Sequence, residues 1–144
     1  MDIGDRMNEQ NTIRIDLHCH SSSSDGSATP QELAAACAAA GVRYAAITDH
    51  DTLAGLDAFE SACERSGIGF IAGVELSALL EGREIHLLCY GFDRADTAFA
   101  GMIGELRRPR DPGSASIYRR PAISPQALMA RVHQAGGVVL LAHP

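Results

Sequence analysis

Seven side chains could share one piece of chemistry: His18, His20, Asp25, His50, Glu75, His86 and His143. Imidazole nitrogens and carboxylate oxygens are ligands for divalent zinc, manganese or iron. In an extended segment, side chains two residues apart point the same way. His18 and His20 can therefore chelate one cation together. The same alternation sets Thr48 with His50, Gly73 with Glu75 and Leu141 with His143. Each taken alone has an ordinary reading. A histidine at a strand end is commonly a hydrogen-bonded structural residue, and Asp25, between Ser24 and Gly26, is a common turn residue. Taken together, five histidines and a glutamate fall where one fold rule would gather them.

That rule concerns the elements that carry them. Thr12 to Leu17 reads as a strand, followed by a polar loop from Ser21 to Ala28. Thr29-Pro30-Gln31-Glu32 combines a capping box with proline at the first helical position, opening a helix that runs to about Ala40. Tyr44 to Thr48 reads as a strand, Leu53 to about Arg65 as a helix, and Gly69 to Val74 as a strand. After a turn at Glu81-Gly82, Glu84 to Gly91 is a strand and Ala95 to Arg107 a helix. Residues 108–123 hold three prolines and no sustained period, and read as a linker. Ser124-Pro125 opens a last helix, and Val138 to Leu141 is a final strand.

Alternating strands and helices predict an α/β fold with a parallel sheet, whose chemistry lies at the carboxyl ends of the strands. His18 and His20 end the first strand, His50 the second, Glu75 the third and His143 the last; His86 lies within the fourth. His133 falls on a helix and reads as a surface residue. Asp16 and Asp49 can orient imidazoles as hydrogen-bond acceptors. Asp51 reads as a cap for the next helix.

Composition bounds the partners. The 144 residues carry a net charge of −6, which argues against nonspecific binding to double-stranded nucleic acid. All 12 basic residues are arginine, so a Schiff-base or P-loop lysine is impossible. No apolar stretch approaches the ~20 residues that span a bilayer. The first 11 residues are polar and lack a signal-peptide core. The four cysteines form no CxxC pair and read as reduced thiols of a cytoplasmic protein, with Cys37 and Cys63 on buried helix stripes.

Asp-Leu-His-Cys-His-Ser (16–21), Ser-Asp-Gly (24–26), Ile-Thr-Asp-His-Asp (47–51), Gly-Val-Glu-Leu-Ser (73–77), Glu-Ile-His (84–86) and Ala-His-Pro (142–144) together resemble the PHP (polymerase and histidinol phosphatase) superfamily. Within it the chain is most similar to bacterial nucleoside 3′,5′-bisphosphate phosphatases that also act as 5′–3′ exoribonucleases. The resemblance implies a distorted seven-stranded β/α barrel with up to three divalent metals (manganese, zinc or iron). It implies His18, His20 and Glu75 at one metal, Asp25 and His50 at a second, and Glu75, His86 and His143 at a third. Such metals would clamp a phosphate and lower the pKa of a water that attacks phosphorus in line. No side-chain nucleophile is needed, so Cys19 has no covalent role.

Two departures from the family pattern shape the expectation. The late Asp-x-His pair that completes the first two metal sites does not occur, and the insertion domain is reduced to the linker 108–123. The sequence therefore predicts an incomplete PHP domain over 12–144, with about five of seven strands and only the Glu75/His86/His143 site fully equipped. It predicts impaired hydrolysis of nucleotides or short RNA 5′ ends. A noncatalytic metal-binding remnant, which could self-associate through an open sheet edge, and a histidinol-phosphatase-like enzyme are the alternatives. Arginines at 107, 108, 110, 119 and 120 cluster about the linker. Arg119 and Arg120 are candidate phosphate contacts, although a solvated charged loop is the simpler reading.

Overall fold

A computed structural model describes residues 13–107 and 123–144. The expected N-terminal extension (1–11), the linker up to residue 122, and both Arg119 and Arg120 lie outside the described residues.

The elements run β1 (Arg14–Asp16), α1 (Pro30–Ala39), β2 (Val42–Ile47), α2 (Leu56–Ser66), β3 (Gly69–Leu80), β4 (Arg83–Tyr90), α3 (Thr97–Leu106), α4 (Pro125–Gln134) and β5 (Val138–Leu141). The strands form one five-stranded sheet in sequence order. This is the partial-barrel α/β architecture that the motifs implied.

The sheet is mixed, which corrects the expectation of parallel strands. β1, β2 and β3 run parallel, but β4 is antiparallel to both of its neighbours. The cause is local. Glu81 and Gly82 take φ values of 50° and 81°, the positive pair that closes a two-residue hairpin. A parallel return would instead need a crossover of a dozen residues or more. β3 also runs on to Leu80 rather than ending at Val74, so Glu75 lies mid-strand. Because β4 runs back along β3, pairing His86 with Ser77, a residue near the start of β4 lies beside the far half of β3.

Helix boundaries follow their caps. The capping box of α1 is present: the Glu32 amide donates to the Thr29 hydroxyl and the Thr29 amide donates to the Glu32 carboxylate. Ser124 caps α4 through the Ala127 amide. α2 starts at Leu56, later than expected, with Gly55 rather than Asp51 at its N-cap. Asp51 instead accepts from the amide and hydroxyl of Ser77, at 2.8 Å each, and ties the end of β2 to β3. The core between sheet and helices centres on Ile47, Phe59, Val74, Leu76, Phe99, Leu128 and Val132, with Cys37 and Cys63 buried on their helices as expected. Gly73 marks a close approach. A Cβ there would lie 2.9 Å from the Ile47 carbonyl oxygen and 3.2 Å from the Tyr90 ring.

Candidate metal centre

The site is built outward from Glu75. Its place on β3 leaves the side chain with no solvent exposure. Oε2 lies 2.9 Å from His18 Nε2, 3.0 Å from His20 Nε2 and 3.8 Å from His50 Nε2. Oε1 lies 3.2 Å from His86 Nδ1 and 3.8 Å from His143 Nε2. Five imidazoles thus face one carboxylate. Asp25 closes the outer side, 3.5 Å from His20 Nδ1 and 3.8 Å from His50 Nε2. The structure brings all seven expected residues together.

Each arrives by a different route. β1 ends at Asp16, so His18 and His20 sit on the segment after it rather than on the strand. That segment is still held alongside the sheet: the Thr48 amide donates to the Cys19 carbonyl, and the Tyr90 hydroxyl to the Leu17 carbonyl. His50 follows β2 and forms a lone parallel bridge with Glu75. His86 returns on the antiparallel strand. His143 follows β5 with φ of 49°, in the left-handed region that histidine enters more often than most residues. His133 is exposed on α4, away from the centre.

The residues fit a divalent cation. One carboxylate cannot satisfy five rings, and Glu75 Oε1, His20 Nδ1 and His50 Nδ1 are buried with no hydrogen-bond partner. A buried anion in this state is costly unless a cation compensates it. Burial, reinforced by His50, holds the His20 ring below the usual histidine range against the opposing pull of Glu75 and Asp25. That favours the neutral imidazole, the form that binds metal. Two donor sets, His18/Glu75/His143 and His20/His50/Glu75, each place their ligand atoms within 4.8 Å of one another and share Glu75.

The supporting carboxylates differ from expectation in what they touch. Asp49 accepts from the Ser21 amide at 2.6 Å, the Ser21 hydroxyl at 2.8 Å and the Ser24 hydroxyl at 2.7 Å. It therefore anchors the loop that carries Asp25, rather than orienting an imidazole. Asp16 accepts from the His18 amide at 3.3 Å. Burial first, and then Asp16, raise the Cys19 thiol well above the ordinary thiol range, so it keeps its proton unless a cation displaces it.

Two residues named in the sequence without a role of their own reach the site. Glu84 Oε1 lies 3.0 Å from His86 Nε2. The i, i+2 spacing on one strand was the available signal. Arg107 donates to the Thr52 hydroxyl at 2.7 Å and lines a cleft of about 380 Å³ with Ser23, Ser24, Asp25, His50, Glu84 and His86.

Comparison with known proteins places this geometry. The PHP domain model matches residues 16–141. The chain is 40% identical over 106 residues to a 5′-3′ exoribonuclease of Haemophilus influenzae, covering 74% of this chain and 39% of that protein. It is 40% identical over 96 residues to a 3′,5′-nucleoside bisphosphate phosphatase of Chromobacterium violaceum, covering 67% of this chain and 34% of that protein. The chain thus spans well under half the length of these relatives. A crystal structure from Bifidobacterium adolescentis, described as a metal-dependent phosphoesterase, superposes with a TM-score of 0.82 at 23% identity, over 92% of this chain and 67% of that one.

Proposed function

The chain belongs to the PHP domain family, and on that footing we propose that it is the metal-binding part of a phosphoester hydrolase acting on 3′,5′-bisphosphate nucleotides or short RNA 5′ ends. The observation that carries this reading is Glu75, buried and ringed by five imidazoles and a nearby aspartate. His18, His20 and Glu75 would hold one divalent ion, Asp25 and His50 a second, and Glu75, His86 and His143 a third. Manganese, zinc or iron bound there supplies Lewis acidity toward a phosphate and a water.

The chain's own residues do the rest. Glu75 offers both oxygens and so can serve two ions at once. Glu84 fixes the orientation of the His86 ring. Asp49 holds the Ser21–Ser24 turn so that Asp25 faces His20 and His50. Arg107, tethered by Thr52 and lining the same cleft, presents a permanent cation to a second phosphate. Four free cysteines suit a reducing, cytoplasmic setting. Among the described residues no helix is long and apolar enough to cross a membrane.

Elemental analysis of the purified chain, run beside phosphate release from 3′-phosphoadenosine 5′-phosphate with and without Mn²⁺, tests the proposal. Retained or titratable divalent metal with Mn²⁺-dependent release is expected, with slow turnover and one equivalent tighter than the rest. Histidinol phosphate as substrate should give less release. A chain that takes up no divalent metal would refute the reading.

A separate observation supports self-association. The edge strands β1 and β5 leave Ile13, Ile15, Val138, Leu140 and Leu141 exposed. Among the described residues, each edge also presents one unpaired ladder side. Sedimentation should show mass rising with concentration; a constant monomer mass would remove this part of the reading.

A further inference from the structure

A different set of donors lies behind the first centre. Cys19 sits between His18 and His20, and alternation sends its side chain to the other side of that segment. There it meets Asp16, the last residue of β1, and Cys37, in the later turns of α1. One ligand atom from each of Asp16, Cys19 and Cys37 lies within 4.8 Å of the other two. Asp16 and Cys37 are both near enough to act on the Cys19 thiol, and both push its proton affinity up beyond what burial alone does. Cys37 is buried, while Asp16 and Cys19 are half-buried, so the cluster has a protein wall on one side and a route to solvent on the other.

The chemistry of this set differs from that of the Glu75 centre. Two sulfurs and one carboxylate suit zinc or cadmium and discriminate against manganese and magnesium, which prefer all-oxygen shells. Zinc–sulfur bonds of about 2.3 Å in a tetrahedral site place two sulfurs roughly 3.8 Å apart. The observed donors lie within 4.8 Å of one another, about an ångström beyond this spacing at most. Packing by itself accounts for a buried Cys37 on a helix stripe. It does not account for a half-exposed thiol and a carboxylate converging on it from a separate element.

We propose that Asp16, Cys19 and Cys37 form a second, soft-cation site, taking Zn²⁺ or Cd²⁺ with water as the fourth ligand. Binding forms two metal–sulfur bonds and one metal–oxygen bond and releases the two thiol protons to solvent. Occupancy would clamp α1 to the segment that presents His18 and His20, so the site would act as a brace for the first centre.

The test uses the full chain under a non-thiol reductant, with Cd²⁺ as the probe. One equivalent of Cd²⁺ should give a thiolate-to-cadmium charge-transfer band and release two protons. Mn²⁺ in excess should leave the band in place, as should Glu75→Gln. Cys37→Ser and Cys19→Ala, each checked for native circular dichroism, should remove it. If both variants unfold, the proton count and the Mn²⁺ competition on the unmodified chain still decide. Absence of the band, its displacement by Mn²⁺, or its survival in a folded Cys37→Ser variant would overturn the proposal.

Discussion

At Glu75 the carboxylate and its five histidine neighbours are arranged for a charge they do not themselves contain. The free chain therefore holds a strained electrostatic balance, and metal should be a strong stabiliser. At a metal concentration 100 times Kd the gain is about 2.7 kcal/mol. We expect Glu75→Gln to abolish the rise in Tm between chelated and Mn²⁺-loaded protein in scanning calorimetry, while the chelated protein melts no lower than its parent. The His20 ring is held below the ordinary histidine range, mainly by burial. The unfolded chain then binds more protons than the folded one, so stability is present above about pH 6.5 and is lost as pH falls toward the lowered folded value. Urea midpoints of chelated protein should drop from about pH 7.5 to about pH 5.5, and His20→Gln should flatten that dependence. An unchanged midpoint would contradict the assignment. The histidines and Glu75 were legible because residue type and nearness to a strand are written in the sequence, whereas Asp25, on a loop, was legible only from its motif. The partners of Asp49 and Asp51 were not, since a carboxylate beside a histidine in sequence can turn to a serine hydroxyl on another element.

Among the elements, the loop between β1 and α1 depends on one buried carboxylate. Asp49→Ala leaves the Ser21 amide and hydroxyl without their acceptor, a cost of about 1–3 kcal/mol. Urea unfolding should show that loss, and calorimetry should show weaker metal uptake, because Asp25 rides on the same loop. Thr29→Ala should cost about 1 kcal/mol by removing the cap of α1. Metal uptake at the Glu75 centre should not change, since none of its seven candidate ligands lies on α1. A matching loss of metal in both variants would mean that general unfolding, not loop anchoring, is responsible. Helix starts at Thr29 and Ser124 were readable because capping is local chemistry. The direction of β4 was not. Glu81-Gly82 announces a turn, but only the positive φ of both residues makes it a hairpin, and β-propensity does not distinguish a returning strand from a parallel one.

At the scale of the molecule, two features oppose each other. Net charge of −6 repels a polyanionic substrate, yet Arg107 lines the same cleft as Asp25, His50 and His86. Arg107→Ala should raise KM for a bisphosphate nucleotide more than it lowers kcat, and should blunt the salt dependence of KM. An effect confined to kcat would place Arg107 elsewhere in the reaction. The barrel-like order of the strands was foreseeable from the motif order. The open edge was foreseeable from the strand count, but the mixed sheet depends on long-range pairing that no local pattern encodes.

One feature of the sheet reaches beyond catalysis. β3 pairs with β2 only as far as Ala72, but with β4 as far as Leu80, so the ribbon of the two strands outruns the rest of the sheet. Its tip, Glu81-Gly82, is exposed, while the Leu79 amide is pinned by the Ile123 carbonyl. The ribbon therefore behaves as an antenna. A nitroxide placed at residue 81 would ride on the same stiff strand pair as His86 and report cation loading as slower tumbling of the label, without occupying a ligand position.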